Sequence, residues 1–116
     1  MCFENLYESS KRNELLLVEN GICHWHLRRD GQLTIREIIS QRPGAGSEML
    51  ERLKRVPGAT SILAKCPVDL HSNGWYYRRG FVLEKVEFAK SGRGINVWRL
   101  ILTSVIAPPE TGALLK

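Results

Sequence analysis

The 116-residue chain has few cysteines, no block of like charge and no long apolar run. Each shortage excludes something. Cys2, Cys23 and Cys66 are odd in number and widely spaced, so they cannot form a disulfide framework. No CxxC or HxxxH pair occurs, which removes the common zinc spacings. Cys23, His24 and His26 lie close together, but a strand would put both histidines on one face and the cysteine on the other. Polar residues on a half-solvated strand explain that trio without a metal. No apolar stretch approaches the ~20 residues of a membrane helix, so no membrane contact is expected. The opening residues MCFENLYESSKRNE lack the basic-then-apolar order of a signal peptide, which makes the cytoplasm the default compartment.

What is present suits a globular domain: 43% hydrophobic and 25% charged residues exclude disordered and low-complexity chains. The length fits one domain over 1–116, with a core over 14–102 and flexible segments at 1–13 and 103–116. The net charge of +5 would attract anions, either nucleic acid or a phosphorylated cofactor. Its carriers (Arg28, Arg29, Arg52, Lys54, Arg55, Arg78, Arg79, Lys90 and Arg93) fall on several segments, so charge alone does not choose between them.

Periodicity orders the elements. Glu14–Glu19 is an apolar run ending at Asn20-Gly21, a type I′ hairpin signal, and Ile22–Arg28 reads as the return strand. Asp30-Gly31 marks a second hairpin before a strand over Gln32–Ser40. Two tight turns joining three strands make an antiparallel meander. Residues 47–55 then take helical spacing, with Met49, Leu50 and Leu53 on one stripe. Glu48 with Arg52 and Glu51 with Arg55 stand as i,i+4 pairs on the wet side, and Pro57-Gly58 stops the helix. A buried strand over Thr60–Ala64 completes a β-α-β crossover. A second helix spans about Ser72–Arg79 with Gly80 as its left-handed stop. Phe81–Phe88 and Ile95–Leu102 are the last strands, joined as a hairpin through Ala89–Gly94. The expected fold is α+β: a mixed, mostly antiparallel sheet of about six strands with two helices.

Two segments carry chemistry. Gln41-Arg42-Pro43-Gly44-Ala45-Gly46 opens a helix, where unpaired N–H groups and a partial positive charge favour phosphate. The spacing is neither the dinucleotide GxGxxG, since Met49 holds the third position, nor a P-loop. A turn that merely redirects the chain would also use these glycines. The second segment, Ser72-Asn-Gly-Trp-Tyr-Tyr-Arg-Arg-Gly-Phe81, holds three adjacent aromatics that cannot all face a core on one short helix. Tyr76 or Tyr77 must reach a surface or cleft, where a phenol can donate a proton.

Taken together, residues 41–46 resemble the Q/R-x-x-G-x-G/A signature of the GNAT superfamily of N-acetyltransferases. Residues 73–81 resemble that family's aromatic-Tyr-x-x-x-Gly-Phe segment, and the element order is similar over residues 14–102. The resemblance implies an acyl-CoA N-acyltransferase fold with acetyl-CoA as cosubstrate and no metal. Backbone around Gln41, Arg42, Pro43, Gly44, Ala45, Gly46 and Ser47 would cradle the pyrophosphate. The Arg36–Ile39 stretch would splay from the Ser61–Lys65 strand and pair its edge, at Ile38 and Ile39, with the pantetheine arm. Tyr76 would protonate the departing thiolate, Asn73 would lie near the pantetheine or that thiolate, and Trp75 would take an aromatic core position. An amine would attack the thioester while a backbone amide polarises the carbonyl. Glu37 is the candidate base; an exposed charge or an ion pair with an arginine would explain it equally.

Two features depart from the pattern: a tight link from Ile39 to the glycines, and only about thirteen residues before the meander, where relatives place walls of the acceptor site. The acceptor pocket is therefore expected to be open, completed by a partner chain such as a second copy in a homodimer, or absent. The expected acceptor is an amine of a small molecule, a protein or a nucleobase, and an open site would suit a large one such as a protein terminus, a lysine or a nucleobase. Two alternatives stand beside acetyl transfer. One is a degenerate coenzyme A-binding sensor or subunit. The other is a small basic nucleic-acid module using Trp25 with Arg28 and Arg29, and Trp98 with Arg99.

Overall fold

The computed structural model describes residues 14–102; Cys2, the segment 1–13 and the tail 103–116 lie outside the described residues. The chain runs β1 (Leu15–Val18), β2 (Gly21–Leu27), β3 (Gln32–Ser40), α1 (Ala45–Leu53), β4 (Ser61–Pro67), α2 (Ser72–Arg78), β5 (Val82–Phe88) and β6 (Gly94–Ile101). The six strands form one sheet in the order β1-β2-β3-β4-β6-β5. Only β3 and β4 pair parallel, and α1 is the crossover between them. The mixed, mostly antiparallel sheet and its two helices are those the sequence predicts.

Alternation along the strands sends Cys23, Leu33, Ile35, Ile62, Ala64 and Trp98 to one face. There they meet Met49, Leu50 and Leu53 of α1 and Tyr76 of α2 in a single buried cluster. The predicted apolar stripe of α1 is thus the stripe that packs. Helix α1 lies over β1, β2 and β3, whereas α2 contacts β4. Each helix therefore covers one half of the sheet.

Several local expectations shift. The first hairpin pairs Val18 with Gly21, so its two-residue loop is Glu19-Asn20 and only Asn20 is left-handed, at φ 57°. A type I′ turn needs positive φ at both central residues, so this is not one. Helix α1 begins at Ala45 rather than Ser47, because Gly44 already takes φ 90° as the N-cap. Glu51 pairs with Lys54 at 2.9 Å instead of Arg55, while Glu48–Arg52 forms as expected at 3.2 Å. Strand β4 runs on to Pro67 because Lys65, Cys66 and Pro67 keep their ladder with β6. His24 is not half-solvated: it is 7% exposed, in a strand flanked on both sides by ladder partners. His26 instead pairs with Glu14, and no group of three metal-ligating side chains occurs among the described residues. No helix among them is long and apolar enough to cross a membrane.

The second hairpin shows how the two halves of the sheet are joined. Gly31 adopts φ 94°, and its carbonyl accepts from Thr60 N at 2.8 Å at the entrance to β4. A Cβ on Gly31 would stand 2.4 Å from Thr60 Oγ1. Gly31→Ala therefore combines a strained backbone with a steric clash at this joint. It should lower stability by about 2–4 kcal/mol, read as a lower urea midpoint at unchanged m-value.

Candidate functional site

The site begins with a break in the sheet. β3 and β4 stay paired over four residues, from Gln32↔Ser61 to Ile35↔Ala64. On the other side of β3, Trp25 pairs with Ile35 and His24 with Glu37, which leaves Arg36 as an inserted bulge residue. A bulge bends its strand and increases local twist. Beyond Ile35 the strands diverge, so the edge of β3 over Arg36–Ile39 has no β4 partner, as the sequence reading requires.

At the far end of β3 the chain turns into α1. Ala45 N donates to Arg42 O at 3.2 Å and Glu48 N to Gly44 O at 2.9 Å. No backbone acceptor serves the amides of Gly46 and Ser47 among the described residues, and no side chain caps the helix. Two orphan donors at a helix start are a seat for an anion. The glycines serve different purposes here. Gly44 supplies the positive φ, whereas Gly46 supplies close packing: a Cβ there would lie 3.3 Å from the Trp75 ring. Arg42 fastens the turn by donating through Nε to Glu19 O, through Nη1 to Pro43 O and through Nη2 to Glu48.

Helix α2 supplies the opposite wall, and its C-terminus explains the aromatic motif. Phe81 N donates to Tyr76 O and Gly80 N to Tyr77 O, both at 3.1 Å, with Gly80 at φ 96°. This is a Schellman cap, in which the residue after the left-handed glycine packs on the helix four positions before that glycine. Phe81 accordingly meets Tyr76 edge-on at 5.1 Å. Trp75 packs edge-on against the same ring at 5.2 Å, and Trp98 stacks at 6.5 Å. Tyr76, 5% exposed, is therefore a core aromatic that also lines the cleft, whereas Trp75, expected in the core position, is only half-buried. Tyr77 takes the surface at 72% exposure. The Tyr76 hydroxyl has no hydrogen-bond partner among the described residues, and burial pushes its pKa up, so the phenol stays protonated at neutral pH.

Between these walls lies a cleft of about 720 Å³. Of the residues named from the sequence, Ile38, Ile39, Arg42, Pro43, Gly44, Gly46, Ser47 and Tyr76 line it. Gln41, Ala45, Asn73 and Glu37 do not. Gln41 N is spent on Asn20 O, and Ala45 points inward against the position of Gly21. Glu37 is half-buried on β3 opposite His24. Asn73 is fully committed within the protein. Its Nδ2 donates to Pro67 O at 2.8 Å and Leu70 O at 2.9 Å, and its Oδ1 accepts from Asn96 Nδ2 and Trp98 Nε1. An amide has two donor hydrogens and an acceptor oxygen with two lone pairs, and all four are used. Ser40, His71, Ser72, Trp75 and Arg79 also line the cleft. Trp75 and Arg79 could have been paired from their i,i+4 spacing on the helix that bears Tyr76. Of the two tryptophans considered for stacking a base, Trp98 is tied to Asn73 and 7% exposed, and Trp25 is partly buried against the core.

Two outcomes follow from this geometry. Asn73→Ala would strand the Trp98 and Asn96 donors, while the Pro67 and Leu70 carbonyls keep their backbone donors, Leu70 N and Asn73 N. It should destabilise by about 2–3 kcal/mol in urea melts and leave the affinity of whatever fills the cleft unchanged. The second concerns alkaline pH. Burial pushes the Cys23 thiol from 9.0 up to about 12, and the Tyr76 phenol shifts in the same direction. Both ionise more easily in the unfolded chain, so their contribution is intact below pH 9 and is lost as the pH climbs from 9 towards 12. Urea stability should fall across that window, and Cys23→Val should flatten the decline.

No protein-family model matches the sequence, and no curated protein matches it. Solved structures do. A protein from Desulfovibrio desulfuricans described as a GNAT-family acetyltransferase superposes with a TM-score of 0.69 at 18% identity, covering 85% of this chain and 77% of that one. A Bacillus subtilis acetyltransferase in complex with CoA gives 0.64 at 16% identity, over 86% of this chain and 84% of that one. RimL, a ribosomal L7/L12 alpha-N-protein acetyltransferase, gives 0.62 at 16% identity, over 85% and 77%. On these superpositions the chain, with its six-stranded mixed sheet and two helices, has the fold of the GNAT acetyltransferases.

Proposed function

We propose that the protein is an acetyl-CoA-dependent N-acetyltransferase that acts on a primary amine. The observation that carries this reading is the cleft itself, which has orphan amides at one end, a protonated phenol in its wall and an unpaired strand edge between them. These parts fit coenzyme A, a diphosphate joined to an amide-rich arm that ends in sulfur. The fold relative from Bacillus subtilis carries CoA, which supports the assignment.

Acetyl-CoA, when bound, supplies an acyl group activated as a thioester. The residues of this chain do the rest. Amides of Gly46 and Ser47 bind the diphosphate, helped by the helix dipole. The Arg36–Ile39 edge pairs with the amides of the arm, and one of its N–H groups polarises the acyl carbonyl. The Tyr76 side chain lines the cleft, held by three aromatic neighbours, and its O–H would give the departing sulfur a proton. Glu37 lies on the opposite face of β3 from cleft-lining Ile38, so it would take the proton, directly or through water, of an amine that approaches the β3–β4 gap from that face. Holding the reactants together removes much of the barrier, so a strong base is not essential. RimL is named for acetylating a protein α-amine, and the amine class of acceptor proposed here is the same.

The test is thiol release from acetyl-CoA across a panel of small amines and peptide amino termini. Gly46→Asp adds bulk against Trp75 and negative charge beside the orphan amides, so acetyl-CoA binding should be lost. Unchanged affinity by calorimetry would refute the cradle. Tyr76→Phe removes a hydroxyl that has no partner within the described residues. Stability should move by less than about 0.5 kcal/mol, with turnover down by about ten- to a hundredfold at nearly constant acetyl-CoA affinity. Full activity in Tyr76→Phe would remove the phenol from the mechanism.

A further inference from the structure

Two arginines line the cleft, and their guanidinium groups are held differently. Arg42 donates to the Glu19 and Pro43 carbonyls and to Glu48, so it serves the turn. Arg79 makes no ion pair and no side-chain hydrogen bond to the described residues. It does exert a minor influence on Glu51, whose own hydrogen bond goes to Lys54. Arg79 is held by a flat surface instead. Its Cζ sits 5.7 Å from the centre of the Trp75 ring, one helical turn back. Trp75 in turn lies against Gly46, whose amide has no acceptor among the described residues. Gly46, Trp75 and Arg79 therefore make a continuous path from the start of α1 to the end of α2. A planar cation with unused donors, beside orphan amides on a cleft wall, matches the geometry and charge of a phosphate.

We infer that Arg79 is the phosphate-selecting residue of the cleft, pairing with a phosphate of coenzyme A while Trp75 holds its plane in register. The inference rests on the acyl-CoA reading above. Coenzyme A offers two sources of this chemistry, the diphosphate and the ribose 3′-phosphate.

Calorimetry of wild type, Arg79→Gln and Arg79→Lys with coenzyme A and with 3′-dephospho-coenzyme A decides the matter. Arg79→Gln should weaken coenzyme A by about tenfold, the size of one charge-assisted contact, and Arg79→Lys should restore part of it. A loss confined to coenzyme A assigns the contact to the 3′-phosphate; an equal loss with both ligands assigns it to the diphosphate. Either result upholds the inference. Wild-type affinity in Arg79→Gln overturns it. So does a loss that Arg79→Lys shares in full, because packing on Trp75 rather than charge would then be responsible. The Arg79 side chain is exposed, and matching circular dichroism spectra establish that the variants fold. If wild type binds neither ligand, the acyl-CoA reading falls and this inference with it, a failure visible without any variant.

Discussion

Everything at the site depends on where β3 and β4 stop pairing. Four ladder positions, ending at Ile35↔Ala64, hold the two halves of the sheet together. The closed end is tied twice more: Gly31 O accepts from the β4 entrance, and Arg99 Nη1 reaches both Gln32 Oε1 and Ser61 Oγ at 3.2 Å. Beyond Arg36 the halves part, and the wedge between them becomes the cleft. A parallel pair kept in register for its full length would leave no strand edge for a ligand and no room for one. Because α1 covers β1–β3 and α2 sits on β4, the helices separate with the strands. They approach each other where Trp75 lies against Gly46. The absence of a side chain at position 46 thus sets how close the two walls come.

The walls are rigid for reasons unrelated to any ligand. Asn73 ties the start of α2 to the end of β4 and to two residues of β6, using every hydrogen-bonding position it has. The Schellman cap fixes the other end of the same helix and locks Phe81 on Tyr76. With both ends pinned and three aromatic rings around it, the Tyr76 ring has one place to be. A hydroxyl positioned in this way needs no reorganisation when it acts, which is where preorganised sites draw their advantage. Arg42 does the same for the glycine turn, so an arginine at a phosphate-type site here acts on the protein rather than on the ligand.

Most of the architecture was legible in the sequence because it is written in local signals. Asp30-Gly31, Pro57-Gly58 and Gly80 punctuate the elements, and Met49, Leu50 and Leu53 mark the face of α1 that packs. The glycine turn and Tyr76 were also recoverable, since both depend on residues a few positions apart. What escaped depends on distant partners. Nothing near Asn73 says that Asn96 and Trp98 will claim its oxygen, and nothing near Arg36 announces a bulge set by the register of β2. The burial of Tyr76 in place of Trp75 has the same origin. One helical step decides which ring faces Trp98 and Phe81, and that step is fixed by the Gly80 cap acting together with β6. His24 was misjudged because its burial comes from neighbours on both sides of β2.

The most direct check of the central claim is a thermal shift with acetyl-CoA, coenzyme A and ATP side by side. A ligand at a hundred times its dissociation constant adds about 2.7 kcal/mol, which for a domain of this size raises Tm by on the order of 10 °C. The account predicts that rise with both coenzyme A species and none with ATP, because the cleft offers phosphate donors joined to an amide-binding strand edge and no triphosphate loop. No shift with either coenzyme A species would contradict it.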